Sequence, residues 1–397
     1  MKQQVTNRIV GADTVRALAT LGVFAFHQFA YEPSLKEIDS AALRLLREGY
    51  LGVPAFFVLS GFLLSMPFWK AHRARTGMPN LRIYAGRRLA RIVPEYFVCV
   101  VVMTLLSGAL ASKWGYVQLA GCLTFTNTLL PPVYTPKWDP PLWSISIEMG
   151  FYLLLPLVAV GLFRMRSMVG ARLYLAVIAG VIAVAQWLLL SIAPWLERAV
   201  GDANLFVAAS TSTTQNVVVL FSHFLIGVIA ADVYLGRSQH INSSGINRYD
   251  VLVLATVAFI VSMLAAGIRL PGLNYMQFMW PTFSILIAVL LVSLPQTTLL
   301  RPLIDGRFIR LTATLSYGIY IWHVPILMGL KKVWPGTSDG HISMVALYSL
   351  TALACSYAVA AVSYRFIGRP ALDRLRSREN RQPVDQSAPP VPCRAAA

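Results

Sequence analysis

The 397 residues are 56% hydrophobic and only 13% charged, about half the charged share of a typical soluble domain. That balance excludes a soluble globular protein, and apolar runs of this length and continuity require membrane-spanning helices rather than barrel strands. The formal charge of +17 would suit nucleic acid, but the basic residues stand between the apolar runs, where they orient a chain in a bilayer; no nucleic-acid partner is expected.

Ten spans are predicted, at 14–31, 49–69, 93–110, 143–163, 173–193, 217–235, 249–267, 276–294, 312–334 and 343–366. Segment 114–130 is apolar but marginal and is read as interfacial or re-entrant; only if it crossed would there be eleven. With the N-terminus inside, the inner segments carry 24 Lys or Arg against 7 in the outer loops, as the positive-inside rule requires, and both termini are then cytoplasmic. The fold class is an all-α polytopic membrane protein. Residues 8–370 form the membrane domain and 371–397, ending in a Pro- and Ala-rich stretch, a disordered cytoplasmic tail. Asp13 and Arg16 in the first apolar segment, and no A-x-A-like site after it, speak against a cleaved signal peptide. Cys99, Cys122, Cys355 and Cys393 lack metal-ligand spacing, and no metal is expected.

Polar groups in the first span deserve a function by default, because ionisable side chains are costly in a membrane. Asp13, Arg16 and His27 interrupt Val10–Tyr31. Arg16 and His27 lie eleven residues apart, so they share a helix face ~16 Å apart along the axis. His27 can take and return a proton near neutral pH. In the second span, Ser60-Gly61 offers a hydroxyl and a close helix contact. Seven cations precede Glu95 in the loop after it. Arg73 and Arg75 are read as serving orientation. Arg88 and Arg91 share a helical face and, with Arg87, could grip phosphates such as those of coenzyme A; a basic helix resting on anionic lipid is the competing reading. The loop 111–142 holds Pro131, Pro132, Pro136, Pro140 and Pro141 and is expected to be stiff.

At the start of the fourth span stand Trp143, Ser144 and Glu148. The predicted topology puts Glu148 and His27 at one depth, ~6–8 Å below the outer interface, where a carboxylate facing the imidazole would raise its basicity. In the ninth span Ser316, Tyr320 and His323 can line one side, as a pocket wall or as a polar network closing the bundle.

Taken together, these stretches resemble the membrane acyltransferase family called acyltransferase family 3. The family's Asp-Gly-Leu-Arg-Gly-Leu-Ala opening stands here as Asp13-Thr14-Val15-Arg16-Ala17-Leu18-Ala19, with His27 following. Its Phe-Phe-x-Leu-Ser-Gly-Phe run is Phe56–Phe62, and its Arg-Arg-x-x-Arg-x-x-Pro stretch is Arg87–Pro94. Trp143-Ser144 to Glu148 and Ser316 to His323 complete the set. Thr14 and Ala17 replace two family glycines, and Met149 stands where an acid or glutamine often follows. The resemblance implies transfer of an acyl group, acetyl or another short one, from acyl-coenzyme A as co-substrate. The acceptor would be a hydroxyl of a glycan or a macrolide-type compound, and the site a bacterial cytoplasmic membrane. It implies His27 as catalytic residue and a donor site at Arg87, Arg88 and Arg91; the predicted topology adds Glu148 as the carboxylate orienting His27, and Arg16 as a donor contact or a partner of Asp13. Asp13, Ser60, Trp143, Ser144, Tyr320 and His323 are then pocket candidates. Expected partners are acyl-coenzyme A, the hydroxylated acceptor, membrane lipids and a second copy of the chain as a homodimer. The rival reading is a proton-coupled transporter or flippase of an amphiphilic molecule, which would show paired, interrupted spans in two halves. No SGNH esterase-like domain is seen in the sequence.

Overall fold

The computed structural model describes residues 9–32, 35, 38–128, 141–200, 217–237, 245–273, 276–334 and 342–381, and no strand occurs among them. In chain order the helices are α1 (Ala12–Tyr31), α2 (Ala41–Arg47), α3 (Gly52–Ala74), α4 (Leu81–Leu106), α5 (Lys113–Leu123) and α6 (Leu142–Arg164). There follow α7 (Met168–Val200), α8 (Val217–Leu235), α9 (Arg248–Ala265), α10 (Thr282–Ser293), α11 (Arg307–Val333), α12 (Ile342–Ser363) and α13 (Arg369–Arg381). Asn80 caps α4 by accepting from the Arg82 and Ile83 amides, and Asn247 with Asp250 forms a capping box on α9.

Nine helical stretches among the described residues are long and apolar enough to cross a membrane, and they match nine of the ten predicted spans. The remaining one is α1. It has 20 residues, enough for ~30 Å, but its polar side chains keep it outside the nine. Its cost is met by enclosure: α1 packs against α3 and α11, burying Val15, Ala19 and Val23. Helix α5 has 11 residues, or ~16 Å, too short to cross by itself; segment 114–130 is not a span. Residues 129–140, with most of the proline-rich loop, lie outside the described residues.

The most extensive helix contact is between α3 and α8, and glycine makes it. A Cβ on Gly61 would lie 2.0 Å from the Phe224 carbonyl oxygen, and one on Gly227 2.0 Å from that of Val58. Each backbone thus occupies the space a side chain would need, as in close membrane crossings generally. Around this pair lie the fully enclosed rings of Phe62, Phe68, Trp69, Phe151 and Phe224, and Trp69 Nε1 donates to the Val228 carbonyl at 2.7 Å.

At the end of the bundle where α3 and α8 finish, the buried Asp232 carboxylate binds two cations. Arg73 Nε donates to Oδ1 at 3.0 Å and Arg172 Nε to Oδ2 at 2.6 Å. Arg73, read as an orienting charge, therefore also ties α3 to α8, and Arg172 brings α7 to the same carboxylate.

Residues 371–381, assigned from sequence to a disordered tail, instead belong to helix α13, which packs along α4. Residues 382–397 lie outside the described residues. A π-helical turn, Tyr364–Gly368, joins α12 to α13. Gly368 lets the turn close against Glu95, whose Oε1 a Cβ there would meet at 2.0 Å.

Candidate functional site

A cavity of about 110 Å³ lies between α1, α3, α4, α6 and α11. One part of its wall is charged and polar, with Arg16, Arg88, Arg91, Glu148, Tyr152 and Ser60; another is apolar and aromatic, with Val53, Phe56, Phe57 and Tyr320. A second space of about 600 Å³ adjoins it and shares Arg16, Arg91 and Tyr317 as wall.

Helical spacing sorts the three arginines of α4. Arg88 and Arg91, three residues apart, both face the cavity. Arg87 is turned ~100° from Arg88 and leaves the site: its fork binds Glu379 of α13, with Nη2 to Oε2 at 2.8 Å. Arg16 pairs with Asp13 at 3.2 Å, whereas Arg88 and Arg91 make no ion pair within 4.0 Å among the described residues, and the buried Arg88 Nε has no hydrogen-bond partner. Three arginines thus share this wall with a single carboxylate, Glu148, and cations held out of water in excess of it favour an anion in the space before them.

Glu148 is built into this charged end. Its Oε1 accepts from Ser60 at 2.9 Å and from Tyr152, one turn on, at 2.8 Å. The expected contact with His27 is absent, because α6 presents Glu148 to the arginines rather than to the outer part of α1. Tyr152 has the i, i+4 spacing that brings it to Glu148, and that spacing was the available signal for a partner the sequence reading left without a role.

What faces His27 is another histidine. His27 Nδ1 and His323 Nε2 are 3.1 Å apart. His27 Nδ1 also lies 3.0 Å from the Val23 carbonyl oxygen, and His323 Nδ1 lies 2.8 Å from that of Tyr320. Carbonyl oxygens only accept, so each Nδ1 carries a hydrogen in the neutral rings. His323 Nε2 is then a lone pair receiving a share of the His27 Nδ1 hydrogen, and His27 Nε2 is left as the free base. The tautomer follows from two main-chain carbonyls and the partner ring. Phe26 and Tyr31 flank His27, their ring centroids 5.1 and 6.5 Å away.

The histidine pair stands just beyond the cavity. Tyr320 and Phe56 meet edge to face at 5.8 Å on the cavity wall, and the Tyr320 ring is 6.0 Å from His323. Ser144 Oγ donates to the Pro141 carbonyl at 2.9 Å, so the Tyr320 hydroxyl donates to Ser144 at 2.5 Å. Trp143 packs against the core instead of lining the cavity. Among the described residues no three His, Cys, Asp or Glu side chains gather as metal ligands.

Fold and site together define a polytopic helical membrane protein with a buried, cation-rich chamber and a histidine pair close beyond it. The chain belongs to the acyltransferase domain family, whose profile matches residues 9–363. It is 27% identical over 391 residues to the O-acetyltransferase OatA of Staphylococcus aureus strain NCTC 8325, an alignment covering 91% of this chain and 56% of that protein. It is 23% identical over 381 residues to the peptidoglycan O-acetyltransferase OatA of Listeria monocytogenes, covering 90% and 55%. The chain thus spans about half the length of these curated relatives. No solved structure matches it.

Proposed function

We propose that this chain is a membrane O-acyltransferase that moves a short acyl group, acetyl first of all, from acyl-coenzyme A to a hydroxyl of a glycan. The observation that carries the reading is the pairing of a cation-rich chamber, three arginines on one wall with Glu148, with a histidine whose Nε2 is free. Family membership supports acyl transfer, and the names of the relatives favour an acetyl donor and a sugar hydroxyl over a macrolide acceptor.

In this reading the donor's phosphates rest at the larger chamber and its pantetheine arm runs past Arg16 and Arg91 toward Tyr320. His27 Nε2 removes the acceptor hydroxyl proton as the oxygen attacks the thioester carbonyl. Collapse of the tetrahedral adduct breaks the C–S bond, and the coenzyme A thiolate takes the proton back from the imidazolium. His323 receives the His27 Nδ1 hydrogen bond throughout and keeps the reactive tautomer in place. Glu148 belongs to the donor end, where Ser60 and Tyr152 fix it among the arginines. Orienting donor and acceptor in an enclosed path supplies a further part of the rate. The arginine side faces the cytoplasm in the predicted topology, where acyl-coenzyme A is found, and the membrane is the bacterial cytoplasmic one.

The test is release of coenzyme A thiol by protein in nanodiscs, given acetyl-coenzyme A and a glycan acceptor. His27→Ala is expected to cut turnover by ~10²–10⁴-fold, the span of general acid–base catalysis, while extracting as a monodisperse protein. Parent protein that binds no acetyl-coenzyme A, or a His27→Ala variant at full rate, would refute the assignment.

A further inference from the structure

Helix α13 begins at Arg369, beyond residue 363 where the family match stops, yet it forms part of the wall of the 600 Å³ chamber through Leu372 and Arg376. Three observations fix it there. Leu375 packs on Gly86 of α4, where a Cβ would meet Leu375 Cδ1 at 3.4 Å. Glu379 accepts the fork of Arg87 through Nε at 3.1 Å and Nη2 at 2.8 Å. The π-helical turn before it places Gly368 against the Glu95 carboxylate, where a Cβ would displace it. Leu372, Leu375 and Glu379 recur at helical spacing and are the covered side of an otherwise exposed, basic helix.

The chamber therefore has a cation on each of three helices, Arg16 on α1, Arg91 on α4 and Arg376 on α13, against two carboxylates in its wall, Asp13 and Glu95. Asp13 balances Arg16, and Asp373 makes a loose, solvent-exposed pair with Arg376 at 3.9 Å. Arg91 makes no ion pair among the described residues. We infer that α13 completes a site for the phosphates of a nucleotide-bearing thioester, with Arg376 and Arg91 as the phosphate ligands and the Arg87–Glu379 fork as the clasp that seats the helix. The inference rests on the proposed donor reading and adds to it a binding element outside the family domain. It also gives Arg87 a seating task in place of direct phosphate contact.

The same chemistry would suit an anionic lipid headgroup, so the test separates the two. Coenzyme A binding to the full chain is measured calorimetrically in phosphatidylcholine nanodiscs and again with phosphatidylglycerol. Arg376 is exposed, so Arg376→Gln leaves packing alone; it is expected to raise the coenzyme A Kd ~10-fold, the loss of one charge-assisted phosphate contact. Turnover of S-acetylpantetheine, which lacks the nucleotide, is expected to be the same in both proteins. Glu379→Gln is expected to weaken coenzyme A binding severalfold and to speed tryptic cleavage within 369–381. An unchanged coenzyme A Kd in Arg376→Gln overturns the inference, as does an effect of that variant on phosphatidylglycerol association alone. Parent protein that binds no coenzyme A at all would instead refute the donor reading beneath it.

Discussion

His27 does its proposed work through the nitrogen it does not use in structure. Its Nδ1 is committed to Val23 and His323, so what His323 must supply is an acceptor, and nothing else about the ring matters. Substitutions separate that demand from simple packing. His323→Gln can place an amide oxygen near the lost Nε2 and is expected to keep most of kcat. His323→Leu, of similar bulk but without a lone pair, is expected to lose on the order of 10²-fold in kcat with little change in donor KM. Steady-state kinetics on the two variants would check it; equal losses would make His323 a packing residue. Sequence spacing located both histidines but not their meeting, because nothing local encodes the approach of α1 to α11. Glu148 is the converse case. Depth along the membrane normal was legible from the predicted topology, while the side of the helix it faces was not, and the two depth-matched groups turn out to have different neighbours.

Among the elements, α3 and α8 show how much a short pattern can disclose. Ser60-Gly61 announced a close crossing, but its counterpart Gly227 sits in an unremarked apolar run and became meaningful only across the interface. Gly61→Val is expected to destabilise the protein by ~1–3 kcal/mol through overpacking, read as a lower midpoint in a thermal unfolding assay in detergent; no change would mean that α3 and α8 can part freely. Helix α13 was hidden for a different reason. Its covered side has only two leucines among charges, so its pattern resembles a solvated tail until Gly86 and Arg87 are there to receive it. The spans themselves were readable because continuous apolar length needs no partner to be recognised. Helix α1 was predicted from the same length despite its charges, and its enclosure by α3 and α11 accounts for how they are tolerated.

Over the whole molecule, the described helices form a bundle in which the charged chambers and the histidine pair lie on either side of the Tyr320 wall. Between them stand Phe56 and Tyr320, touching edge to face. A cell that maintains a voltage across its membrane cannot tolerate an open wet passage through any protein in it, however useful the passage is for delivering a thioester. On the proposed donor path, the two rings would serve as a gasket between which the donor's slender arm has to press. Phe56→Ala together with Tyr320→Ala is therefore expected to let liposomes carrying the protein lose an imposed pH gradient faster than those carrying the parent, as followed with an entrapped pH dye. Decay at the parental rate would place the barrier elsewhere. On this view the aromatic contact serves the cell's energy supply as much as the reaction, and sensitivity to uncoupling becomes a property of an acyl-transfer protein.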